Sequence, residues 1–185
     1  MGTFRTTLVI GLLLTAGVIL RAAVVPRYSL EELTQNSALI VHARVLGSRV
    51  AWDERGLYLW THYRLAPVET IKGTAGGEVI VSEPGGTLAG VTLLVSDAVQ
   101  FEQGEEVVVF LYRNPLGYWR VRGYGQGKLT LVGTKDGGKR LHANVGALQL
   151  VETGGAHAAG PGGVDALDGW TLDRLRGQLR LWGGR

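Results

Sequence analysis

Between residues 39 and 151 short strand-like runs follow one another with turn signals between them, and no helical periodicity separates them. That pattern excludes a parallel α/β fold, whose strands need a crossover helix between them. It leaves an antiparallel barrel or sandwich. Glycine punctuates the runs: 29 of 185 residues, about twice the usual ~7% share.

Residues 39–45 place Leu39, Val41, Ala43 and Val45 on one side and Ile40, His42 and Arg44 on the other. Residues 57–65 set Leu57, Leu59, Tyr63 and Leu65 against Tyr58, Trp60, His62 and Arg64. Asp53-Glu54-Arg55-Gly56 turns between them, predicting a long hairpin. Further strands are expected at 78–82, at 91–95 after Pro84-Gly85-Gly86, and at 118–122, 128–132, 140–145 and 148–151. Residues 106–112 (EVVVFLY) are apolar on both faces, which requires cover on both sides.

Two short helices flank this region. Ser29-Leu30-Glu31-Glu32 is a capping box opening a helix that ends near Asn36, with Leu30 and Leu33 on one side. Thr171 caps a second helix running to about Trp182, and Leu172, Leu175, Leu179 and Trp182 form one stripe on a 3.6-residue period. Arg174, Arg176 and Arg180 lie off the stripe. This helix either packs its stripe on the barrel or serves as a basic amphipathic contact for a membrane surface or partner. Residues 153–163 (TGGAHAAGPGG) read as a linker.

The chain begins as an address. Arg5 precedes an apolar run at residues 8–20, and Arg21-Ala22-Ala23 follows, the layout of a secretory signal peptide cut after Ala22. The competing reading is an uncleaved anchor lengthened through residues 22–25, although the run falls short of the ~20 residues a span needs. The expected division is therefore a signal at 1–22, a β domain at 23–152, the linker at 153–163 and the helical segment at 164–185. Removing the signal takes away two arginines and no acid, so the net charge falls from +3. That gives no warrant for nucleic-acid binding, which needs a concentrated basic footprint.

Three segments together resemble a known pattern: residues 29–45 (SLEELTQNSALIVHARV), Val68-Glu69-Thr70-Ile71-Lys72-Gly73, and residues 101–111 (FEQGEEVVVFL). The order is similar to that of uncharacterised secreted bacterial proteins and, more distantly, to the netrin-like domain of tissue inhibitors of metalloproteinases. Over residues 29–133 the resemblance implies an OB-like five-stranded barrel, closed or partly open, with flanking helices. It implies that Lys72-Gly73 ends a strand and that Phe101 with Gly104-Glu105 forms the turn entering a core strand. Netrin-like inhibitors act through an N-terminal cysteine; this chain has none, so that mechanism does not carry over.

The absence of cysteine also excludes disulfides, Cys-ligated zinc, iron–sulfur clusters and a thiol nucleophile. None of Ser29, Ser37, Ser48, Ser82 and Ser96 sits in a Gly-x-Ser-x-Gly elbow. His42, His62, His142 and His157 form no His-Glu-x-x-His, although a His42–His62 pair on adjacent strands could hold a weak surface ion. Glu105 and Glu106 are strand neighbours and point to opposite faces. Gly85-Gly86-x-x-x-Gly90 and Gly123-x-Gly125-x-Gly127 lack the Gly-Lys-Ser/Thr ending of a phosphate loop and read as turns. No catalytic residue, metal or cofactor is expected.

The reading is an exported, non-enzymatic β-barrel module binding a protein or envelope component. Its alternatives are an exported hydrolase with dispersed loop residues and a peripheral membrane protein held by the last helix. The expected contact face is the outside of the hairpin. If Trp52 pairs with Tyr58, then Val50 opposes Trp60 and Ser48 opposes His62, all outward, with Arg44 and Arg64 alongside. Aromatic and arginine side chains dominate binding hot spots.

Overall fold

The computed structural model describes residues 24–145, 149–151 and 163–183. The expected signal at 1–22, its cut before Ala23, and linker residues 153–162 with His157 lie outside the described residues. In chain order the elements are β1 (Val24–Pro26), α1 (Leu30–Asn36), β2 (Leu39–Trp52), β3 (Leu59–Lys72), β4 (Val79–Pro84), β5 (Gly86–Leu88), β6 (Val91–Leu93), β7 (Glu106–Arg113), β8 (Trp119–Val121), β9 (Lys128–Gly133), β10 (Lys139–Ala143), β11 (Gln149–Val151) and α2 (Leu172–Gly183). Short 3₁₀ turns occupy Tyr124–Gly127 and Val164–Leu167.

The fold is mainly β, and five of its strands close into a ring: β7, β2, β3, β4 and β8, with β8 returning to β7. β7 is the branch point. One edge pairs with β2; the other is shared between β9 at Val107–Val109 and β8 at Leu111–Arg113. β10 extends the sheet beyond β9, and its outer edge is covered by backbone bonds from Leu141 to Trp170 and from Gly169 to Leu141. β1 and β11 form a separate parallel pair, and β5–β6 a small hairpin.

The two-faced apolar run at 106–112 has the cover it requires. Val107, Val109 and Leu111 face the ring interior with Leu39, Val41, Val45, Leu65 and Phe101. Val108 and Phe110 face a second core with Ile40, Leu129 and Leu141, roofed by both helices. Leu30 and Leu33 of α1 and Leu175 and Leu179 of α2 are buried there, with Leu172 and Trp182 packed against them. The stripe of α2 is therefore engaged on the sheet, and Arg176 ties the helix to Glu69 of β3 at 2.5 Å. The Ser29–Glu32 capping box is formed in both directions. Thr171 caps α2 through the Arg174 amide at 3.2 Å.

Lys72 ends β3, and Gly73 follows at φ +78°, where a Cβ would stand 2.4 Å from the Ala38 carbonyl oxygen. Gly104 turns at φ +85° and bonds Val45, delivering the chain into β7.

The hairpin register differs from expectation. Trp52 pairs with Leu59, Val50 with Thr61 and Ser48 with Tyr63, while Trp60 lies opposite Ala51 and His62 opposite Arg49. The cause is local. Asp53 Oδ1 accepts the amides of Leu57 (2.7 Å) and Tyr58 (3.1 Å), and the Asp53 amide bonds Tyr58 O, so Tyr58 belongs to the turn and Leu59 opens the ladder. A slip of one residue changes every facing partner.

Candidate functional site at the ring seam

The ring closes unevenly. β2 and β3 pair along their whole length, whereas β4 and β8 share a single parallel residue pair, Val81 with Trp119. Beyond that pair a carboxylate takes over. Glu83, 2% exposed, accepts from Arg120 Nε at 3.1 Å, from Arg120 Nη2 at 2.8 Å and from the Val121 amide at 3.0 Å. Burial pushes the Glu83 carboxyl above its ordinary pKa, against the opposing pull of Arg120 and the Val121 amide. A buried acid thus stands in for missing ladder hydrogen bonds.

The turn before β8 covers the neighbouring outer face. Asn114 Oδ1 accepts the amides of Leu116 and Tyr118, which fixes Tyr118 over the sheet. The Tyr118 ring meets Trp60 edge-on at 5.0 Å and His62 at 5.8 Å. Trp60 and His62 are consequently each 8% exposed, which corrects the expectation that they form an open contact surface. Trp60 Nε1 is buried with no hydrogen-bond partner among the described residues.

A groove of about 530 Å³ lies over this seam, lined among others by Arg49, His62, Ser82, Arg113, Tyr118 and Trp119. His62 Nδ1 and Ser82 Oγ, directly opposite each other on β3 and β4, are 2.8 Å apart. Burial, and then the Arg49 charge, holds the His62 imidazole below its usual pKa, favouring its neutral form. Arg113 donates to Gly117 O at 2.7 Å and stacks 4.3 Å over the Trp119 ring. Glu78 is engaged through both oxygens by Arg64, at 2.8 Å each, which holds its carboxyl below the ordinary range.

The six residues of the expected contact face do not converge. His62 lines the groove, Trp60 lies beneath Tyr118 beside it, and Arg64 is tied to Glu78 at its margin. Trp52 and Tyr58 are exposed, 42% and 59%, at the tip of the hairpin. Arg44 is eight residues back along β2 from Trp52, 3.6 Å from Glu106, which also binds His42 at 2.8 Å and Lys139 at 2.5 Å. His42 and His62 therefore sit in separate networks and share no ion site; among the described residues no three His, Cys, Asp or Glu side chains cluster to hold a metal. Sequence reasoning missed Arg49, Ser82, Arg113, Tyr118 and Trp119. The Asn114-Pro115-Leu116-Gly117 turn was readable, but not the face onto which it folds Tyr118.

The glycine motifs serve the backbone. A Cβ on Gly86 would strike Thr61 and Val50, and one on Gly127 would stand 2.2 Å from the Arg122 carbonyl oxygen. No protein-family model, no curated protein and no solved structure matches the chain.

Proposed function

We propose that this chain is an exported, non-enzymatic binding module, its ring an OB-like barrel of the netrin-like kind, that holds a protein or envelope component in the seam groove. One observation carries the reading: the groove gathers arginine, histidine and aromatic groups where no described helix packs. Those residue types supply most hot-spot energy at interfaces, and OB-like barrels commonly bind on one sheet face. The opposite face has its apolar surface satisfied by α1 and α2. Export is supported by the apolar run at residues 8–20 and the small residues that close it.

A photo-crosslinking residue at position 49 of the exported protein should capture a partner in its native setting, whereas one at position 180 on α2 should not. Capture from position 180 alone would contradict the assignment. Mass spectrometry of the exported protein should find Ala23 first; an intact Met1 would favour the anchor.

The His62–Ser82 pair supports a second reading, an exported hydrolase with Ser82 as nucleophile and His62 as its base. A fluorophosphonate that labels Ser82 and fails to label the His62→Gln variant would establish it. The binding reading expects no labelling.

A further inference from the structure

We infer that the seam groove recognises an oxyanion, a phosphate, sulfate or carboxylate group carried by its ligand, through Arg49 and Arg113. The inference rests on the binding reading above and names the chemistry of what is bound.

The charges in the groove carry it. Arg49 and Arg113 both line the cavity, one from β2 and one from the end of β7. Arg49 is exposed, and among the described residues it has no carboxylate partner and Arg113 is held by a carbonyl and a ring alone. Three other arginines of the ring differ: Arg44 on β2, Arg64 on β3 and Arg120 on β8 each meet an acid. Glu78, the acid in the lining, is already bound at both oxygens by Arg64, and nearby Glu83 is bound by Arg120. Neither carboxylate is available to balance the two guanidinium groups.

The remaining polar lining can donate. Thr74 and Tyr118 contribute hydroxyl groups, and the His62–Ser82 pair contributes one further donor, the Ser82 O–H or the His62 Nε2–H according to the tautomer. A cation would meet two like charges here. An oxyanion would meet two planar guanidinium forks, the geometry best suited to phosphate and carboxylate oxygens. A group of that charge would also oppose the Arg49 field at His62. The charged groups around that ring are Arg49 on β2, Arg64 on β3, Glu78 and Glu83 at β4, and Arg113 beside the β8 turn.

The test titrates the full exported chain with sodium phosphate, sulfate, acetate and chloride at constant ionic strength. Arginine Nε–H and His62 ring signals are followed by NMR. At least one oxyanion should give saturable shifts at Arg49 and Arg113, with none at Arg174 or Arg180, and should raise the His62 pKa. Arg49→Ala, at an exposed site with no hydrogen bond or ion pair among the described residues, should weaken that binding at least tenfold while leaving the melting temperature unchanged. Preference for phosphate or sulfate identifies a tetrahedral ligand group; preference for acetate identifies a carboxylate. Equal shifts with chloride, no saturation, or unchanged binding in Arg49→Ala would overturn the inference. If position 49 still crosslinks a partner while no oxyanion binds, the groove assignment stands and the oxyanion does not. If both are blank, both fall.

Discussion

The two outer faces of the ring are closed by different chemistry. Over β7, β9 and the start of β2, the cover is helical and apolar, with Leu33, Phe110, Leu175 and Leu179 all buried. Over β3, β4 and β8, the cover is one turn carrying Tyr118, and closure rests on Glu83–Arg120, His62–Ser82 and Arg64–Glu78. Apolar burial is non-directional and tolerates small adjustments. A buried charge set against three donors is directional and fails if one member is lost. The first face is built to stay shut. The second is polar, grooved and accessible.

The sharpest way to break this contrast is Glu83→Ala. It leaves the Arg120 guanidinium and the Val121 amide without their acceptor, and chemical denaturation should register a loss of about 4 kcal/mol, within the range for breaking a buried pair. Glu83→Gln, which keeps an acceptor, should lose clearly less. On the sealed face, Leu175→Ala should cost about 3 kcal/mol by the ordinary cavity route, with Arg49 and Arg113 signals unmoved. Equal effects of Glu83→Ala and Glu83→Gln would show that shape, not charge and hydrogen bonding, closes the seam.

A pH series sharpens the comparison further. The folded pKa of His62 lies below 6.5, so the unfolded chain binds the extra proton first. Its contribution to stability is complete above about pH 6.5 and is lost as the pH falls toward the folded value. Glu83 has the opposite sign: its folded pKa is raised above 4.5, so its contribution is complete below that value and declines as the pH rises through the folded pKa. His62→Gln should therefore flatten the stability profile just below pH 6.5, and Glu83→Gln should flatten it above pH 4.5. A His62→Gln profile parallel to the wild type would contradict this assignment.

The smallest effects are expected from two single contacts. Trp60→Phe removes an indole N–H that has no partner among the described residues and keeps a ring against Tyr118, so its cost should stay under about 1 kcal/mol. Arg176→Ala removes a partly exposed pair with Glu69 and should cost about 0.5 kcal/mol. A large loss at Arg176 would mean that α2 is held by charge and not by its leucines.

Much of the fold was legible because period and turn chemistry are local. The capping box at Ser29, the two-faced run at 106–112 and the leucine stripe of α2 all stand where their residues place them. The short strands β1 and β5 escaped notice, because three residues carry no readable period. The site was less legible for a non-local reason. Whether Trp60 faces water depends on the Asp53 side chain, which sets the register, and on Tyr118, which arrives from a turn more than fifty residues later. Alternation in 57–65 holds only from Leu59, since Leu57 and Tyr58 are exposed in the turn; beyond it Tyr63 and Leu65 fill the ring interior while Trp60 and His62 are covered by the β8 turn. Arg49 meets His62 through that register, and Ser82 meets it through the separate pairing of β3 with β4.

Amide hydrogen exchange tests most directly whether a side chain closes the ring. The Val121 amide donates to Glu83, whereas the Val108 amide belongs to the paired, helix-covered centre of β7. In the wild type both should be protected. In Glu83→Ala, under conditions where the protein remains folded, Val121 should exchange at least tenfold faster relative to Val108 than it does in the wild type. Val121 exchange that is fast in the wild type, or identical in the two proteins, would contradict a seam held by Glu83.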